Sequence, residues 1–108
     1  MQDRKECYLC RYKYNLVGYE CELPDYGLHR HHVVFGTADR SKSEQWGIWV
    51  WVCAKEHHEY GPESPHQNHQ VARLLMEHGQ MAFERKYGHD LWMQEFRRSY
   101  IEQGKVQI

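Results

Sequence analysis

Apolar and polar positions fall into three regimes along the chain. The first stretch is mixed. "RYKYNLVGYECELPDYG" interleaves charged and aromatic residues and closes on a Pro-Asp-Tyr-Gly turn signal, which fits a short hairpin or an irregular loop. The middle carries two strand-like runs. "LHRHHVVF" ends in β-branched and aromatic residues. "IWVWVC" is the clearest strand, β-branched and aromatic throughout, between Gly47 and a charged segment. The polar "GTADRSKSEQWG" between them reads as a loop, and "AKEHHEYGPE" after them as a turn or a very short helix. The last regime is helical. Ser64 is placed to cap, Pro65 suits the first helical position, and Gln67 completes a capping box. Val71, Leu74, Leu75, Ala82 and Phe83 then recur at helical spacing, with Gly79 as a candidate bend and Gly88 as the stop. Asp90 is placed to cap a second helix with Leu91, Trp92, Phe96 and Tyr100 on its apolar face.

The expected order is therefore knuckle, strand, loop, strand, turn, helix, helix, in one α+β domain spanning residues 1–108. A chain of 108 residues buries one modest core, and a structural metal is a common staple at this size. No apolar stretch is long enough to span a membrane. The N-terminus, "MQDRKECYLC", is charged where a secretory leader would be apolar, so the expectation is a cytoplasmic protein. Its four cysteines then read as thiols or metal ligands. The net charge of −1, with nine histidines counted neutral, argues against tight binding of nucleic acid by overall charge and leaves room for a local patch.

Two constellations carry chemistry. Cys7 and Cys10 are spaced as a CxxC knuckle, and Cys53 and His57 form a second short pair. Four nitrogen and sulfur ligands from two such pairs is the make-up of a closed structural zinc site; the bland alternative is buried thiols and a surface histidine. Cys21 has no partner pair. The second constellation is histidine. His31 and His32 are adjacent, so on a strand they point to opposite faces. One can ligate a metal while the other acts on a water. His58 follows the zinc pair, and His66 lies where the first helix begins, a place that favours anions. His69 shares its face and can replace it. Arg40, Lys42 and Lys55 flank this pocket as candidates for phosphate contacts, with a solvated loop as the equal alternative. His78 reads as a packing residue. Trp46, Trp49 and Trp51 read as core, with base stacking as the sharper alternative.

"HRHHVVFGTADRSKSEQWGIWVWVC", then "EHH", "PHQN" and "FERKYGHDLW", resembles the HNH endonucleases and their ββα-metal (His-Me finger) core. Within them the longer match looks like a phage-associated branch similar to the RecA-dependent Ref-like nucleases. The resemblance implies hydrolysis of DNA phosphodiester bonds with Mg²⁺ or Mn²⁺. His31, His58 and His66 would hold the catalytic ion, and His32 would be the general base. It further implies a 5′-phosphate product, a bacterial host cell with a phage or prophage origin, and, more distantly, a recombinase filament or another phage or host protein as partner. The chain departs from the pattern twice. The asparagine that names the motif should fall near Ile48 or Trp49, and neither is asparagine. The cysteine-to-HH spacing in "CAKEHH" is longer by one than usual, so His58 can serve the zinc in place of His57. Two rival readings stand beside the nuclease. One is a zinc-binding module for nucleic acid or protein, which needs only the cysteines and one histidine. The other is a zinc hydrolase acting on a different substrate.

Overall fold

The computed structural model describes residues 1–35, 39–54 and 64–101. Among the described residues, four helices accompany a two-stranded sheet: α1 (Tyr8–Leu16), β1 (Leu28–His32), α2 (Asp39–Gln45), β2 (Trp49–Cys53), α3 (His69–Tyr87) and α4 (His89–Phe96). This is a small α+β domain, as the pattern implies. No helix in the described residues is long and apolar enough to cross a membrane.

The strands pair antiparallel, with Leu28 opposite Cys53, His31 opposite Val50 and His32 opposite Trp49. Alternation then sorts the hairpin into two faces. His29, His31, Val50 and Val52 take one face, and Arg30, His32, Trp49 and Trp51 take the other. Val33, Val50, Val52 and Ile48 are buried in a core shared with Leu75, Phe83, Trp92 and Phe96. Helix α3 lies close on the sheet at Gly79. A Cβ added there would stand 2.9 Å from both Ile48 Cγ2 and Val33 Cγ1. The glycine expected to bend the helix is thus a contact point, and α3 runs unbroken through 19 residues.

Several boundaries differ from the sequence reading, among them the end of β1, which stops at His32 before the "VVF" read as part of the strand. The stretch read as a hairpin or loop begins with helix α1, whose N-cap is Cys7: its sulfur accepts from the Cys10 amide at 3.4 Å. The segment read as a loop between the strands contains helix α2. Its buried side chain is a hydroxyl: Ser43 Oγ donates to the Val34 carbonyl at 2.7 Å and accepts from the Val34 amide at 3.1 Å. Helix α3 is capped by Asn68, not Ser64. The Asn68 side chain accepts from the amides of Gln70 and Val71, whereas Ser64 closes the preceding turn through bonds to Gln67 and Asn68. A cap that satisfies two of the orphan amides outcompetes the capping-box signature upstream.

The C-terminal segment locks down by polar satisfaction. Fully buried Gln80 accepts from the Tyr100 amide at 2.6 Å and donates to Glu84 and Ser99. Gly88 joins α3 to α4 at φ 92°, a backbone region that favours glycine. It, rather than Asp90, is the N-cap of α4; Asp90 sits in the first turn, where its charge suits the helix dipole.

Candidate metal centre and histidine pocket

The sulfur atoms of Cys7, Cys10 and Cys53 lie within 4.8 Å of one another, with Cys10 and Cys53 3.5 Å apart. Helix α1 and strand β2 bring them together, which no single sequence pair specifies. Zinc–sulfur bonds of about 2.3 Å in a tetrahedron place sulfurs about 3.8 Å apart, so this trio fits a zinc-sized ion with little movement. The Cys7 sulfur also accepts from the Cys53 amide at 3.2 Å, as ligating thiolates do. Burial, reinforced by the neighbouring Cys7, pushes the Cys10 thiol well above its ordinary range. Without an ion the cluster therefore favours neutral thiols, and a cation bound there would displace their protons. Cys21 lies outside the trio and is half-buried; its carbonyl accepts from Arg11. His57, expected as the fourth ligand, lies outside the described residues, as do His58 and Lys55.

His31 and His66 meet toward the other end of the hairpin. His31 is fully buried, and the His66 ring, held on the turn before α3, lies 5.1 Å from it, edge to face. Phe35 stands 5.2 Å from His66 and 5.9 Å from His31. The His66 amide donates to Ser64 Oγ at 3.3 Å, so the turn that Ser64 closes also sets this imidazole. His66 is not in the first turn of the helix, as the sequence suggested; His69 is, and it is exposed. His66, His69 and Phe35 line a groove of about 870 Å³ that continues past Arg73, Arg98 and Tyr100.

His32 stands on the opposite face of β1. Its Nε2 lies 2.7 Å from Glu44 Oε2 on α2. The other Glu44 oxygen accepts from Arg30 Nη1 at 2.6 Å. The hydrogen bond to His32, then the charge of Arg30, holds the Glu44 carboxyl below the usual range. Arg30 lies 4.0 Å over the Trp49 ring, and Lys5 lies 4.8 Å over Trp51. Those two tryptophans therefore carry cations on the outer face, whereas Trp46 packs on Phe83 and donates to Glu95.

Of the candidate phosphate contacts, Arg40 is exposed on α2. Lys42 donates to the Glu95 carbonyl at 2.5 Å, which ties α2 to α4. His78 is half-buried against the rings of Tyr8 and Tyr12 and also makes a polar contact. Its Nδ1 lies 2.7 Å from the Tyr8 hydroxyl, and burial lowers its pKa. Sequence reasoning missed Glu44 and Phe35, and gave Ser64 the role of helix cap in place of the turn that carries His66. Glu44 sits in a segment without one apolar residue, "DRSKSEQ", so periodicity gives it no weight.

Compared with family models, with curated protein sequences and with solved structures, the chain matches none.

Proposed function

We infer that the chain is a metal-dependent endonuclease of the HNH type, built on a ββα-metal core, that hydrolyses DNA phosphodiester bonds. One observation carries the reading. Buried His31 and groove-lining His66 converge to 5.1 Å between ring centres, at the far end of the hairpin from the sulfur trio. Cys53 and Val50, the residue opposite His31, are three strand positions apart, roughly 10 Å at the usual rise. A binding module needs the sulfurs alone and gives the second cluster nothing to do.

In this reading Cys7, Cys10, Cys53 and His57 hold a structural zinc ion. His31, His66 and His58 hold Mg²⁺ or Mn²⁺. When bound, that ion neutralises charge on the scissile phosphate and on the leaving oxygen. Neutral imidazole ligands leave the ion's charge uncancelled, which suits an anionic substrate. His32 takes the proton from the attacking water, a role for a group whose ordinary pKa lies near neutrality. The groove beyond His66 is lined by Arg98 and by Arg73, which is held by Glu77 and the Tyr100 carbonyl, with Asp39 beside them; Arg98 is the cation offered to a phosphate backbone. The setting is the cytoplasm of a bacterial host, with DNA as partner.

Plasmid nicking tests this. Zinc-loaded protein with Mg²⁺ or Mn²⁺ is expected to convert supercoiled to open-circular DNA, and His32→Ala to fail while keeping its zinc and its melting temperature. Equal nicking by both would remove His32 as the base. Zinc-loaded wild type that binds DNA but never nicks it would favour the binding module.

A further inference from the structure

The contact between His32 and Glu44 has a chemical direction. A carboxylate only accepts hydrogen bonds, and a guanidinium only donates. Glu44 therefore divides its two oxygens between Arg30 Nη1 at 2.6 Å and the Nε2–H of His32 at 2.7 Å. A neutral imidazole with its hydrogen on Nε2 carries its lone pair on Nδ1. Both ends of this arrangement are braced. Ser43, next in sequence to Glu44, is pinned to both backbone groups of Val34. Arg30 is stacked on Trp49, the residue that pairs with His32 across the sheet. Trp49 also occupies the region where the resemblance leads one to expect an asparagine that orients the base.

We propose that Glu44 is the positioning residue of the histidine base: it fixes His32 as the Nε2–H tautomer and leaves Nδ1 as the atom that deprotonates water. This rests on the nuclease reading. In the step, Nδ1 takes one proton from water and the water oxygen bonds to phosphorus. The P–O3′ bond breaks, and the departing 3′-oxygen is protonated by solvent. The imidazolium left behind keeps its Nε2–H on the Glu44 carboxylate until Nδ1 returns its proton to solvent. A carboxylate behind a histidine in this way sets tautomer and orientation without itself being protonated.

The substitution that decides it is Glu44→Gln, because it keeps shape and removes one acceptor. Arg30 can only donate, so the amide oxygen turns to Arg30 and the amide NH₂ to His32. His32 Nε2 must then accept, and its hydrogen moves to Nδ1. With ¹⁵N-histidine-labelled, zinc-loaded protein at a pH where His32 is neutral, wild type is expected to show the Nε2–H pattern and Glu44→Gln the Nδ1–H pattern. Nicking should fall about 100-fold, within the range for loss of a general base. The melting temperature should not move, because Glu44 is exposed. Glu44→Ala should show no fixed tautomer and an intermediate rate. Wild-type nicking that is lost in His32→Ala but unchanged in Glu44→Gln would overturn this assignment and leave the nuclease standing. Retention of the Nε2–H pattern in Glu44→Gln would overturn it as well. Wild type that does not nick at all would sink the nuclease reading, and this role with it.

Discussion

Both ends of the hairpin gather side chains able to hold a metal, sulfurs at one end and imidazoles at the other, to opposite plans. At the Cys53 end, three sulfurs face one another and Cys7 is bound by two backbone amides. At the His32 end, one imidazole is buried, a second stands exposed on a groove of about 870 Å³, and a third is held by a carboxylate on the far face. The first end spends its contacts on holding. The second leaves room for a molecule to arrive. Closed ligand sets suit structural ions and open ones catalytic ions, so under the proposed function the first end would be the staple and the second the site.

The largest effects are expected at the sulfur end. Cys7→Ser removes a metal ligand and weakens the cap of α1 together. We expect loss of bound zinc by elemental analysis and loss of cooperative melting, because binding energy of a structural zinc is folding energy of roughly 10 kcal/mol or more. A chelator should act likewise on wild type. Binding also displaces thiol protons, so zinc affinity should fall as pH is lowered. At the other end, His66→Ala should leave zinc content intact and move stability by less than about 1 kcal/mol, since the side chain is exposed. Its nicking should drop by about 10-fold to 100-fold or more, as expected for loss of a metal-site contact. Equal effects of the two substitutions on folding would erase the distinction between the ends.

Gly79→Ala tests what sets the spacing between helix and sheet. Its Cβ would stand 2.9 Å from Val33 and Ile48 side chains, so we expect about 1–3 kcal/mol of destabilisation by denaturant melting. The smallest effect is a titration. Burial lowers the pKa of His78, so the unfolded chain binds a proton more readily than the folded one. Stability should be full above about pH 6.5 and decline as pH falls through that value. Glu6 has its pKa lowered by the Arg11 hydrogen bond, so its contribution is present above about pH 4.5 and fades at lower pH, as a second step. His78→Gln should flatten the upper step alone.

The hairpin was legible because β-branched and aromatic residues concentrate in "IWVWVC", and burial alternates along it. The bulk of α3 was legible from Val71, Leu75 and Phe83, which sit on its inward side. Its start was not, because Ser64, Pro65 and Gln67 satisfy a helix-start signature while forming a turn. Helices α1 and α2 were missed for a related reason. A thiol caps α1, outside the usual cap residues, and α2 is anchored by a hydroxyl with no apolar residue to set a period. Of the cysteine trio, Cys7 and Cys10 were visible from their CxxC spacing, whereas Cys53 joins them only through the placing of β2 against α1, 43 positions from Cys10. The pairing of His32 with Glu44 was not visible, because a carboxylate twelve positions away looks the same whether it faces solvent or an imidazole.

The tandem histidine in β1 also bears on how such a site can arise. A strand assigns neighbouring residues to opposite sides by parity alone. Two identical side chains in succession within it therefore meet unlike surroundings. One goes to the dry interior beside His66, the other to a wet face beside Glu44 and Arg30. Division of labour then needs no change in the chemistry of either residue, only neighbours that differ. The same parity makes the arrangement brittle. A one-residue slip of β1 against β2 would exchange the two histidines between faces, leaving the composition unchanged and both sets of neighbours mismatched.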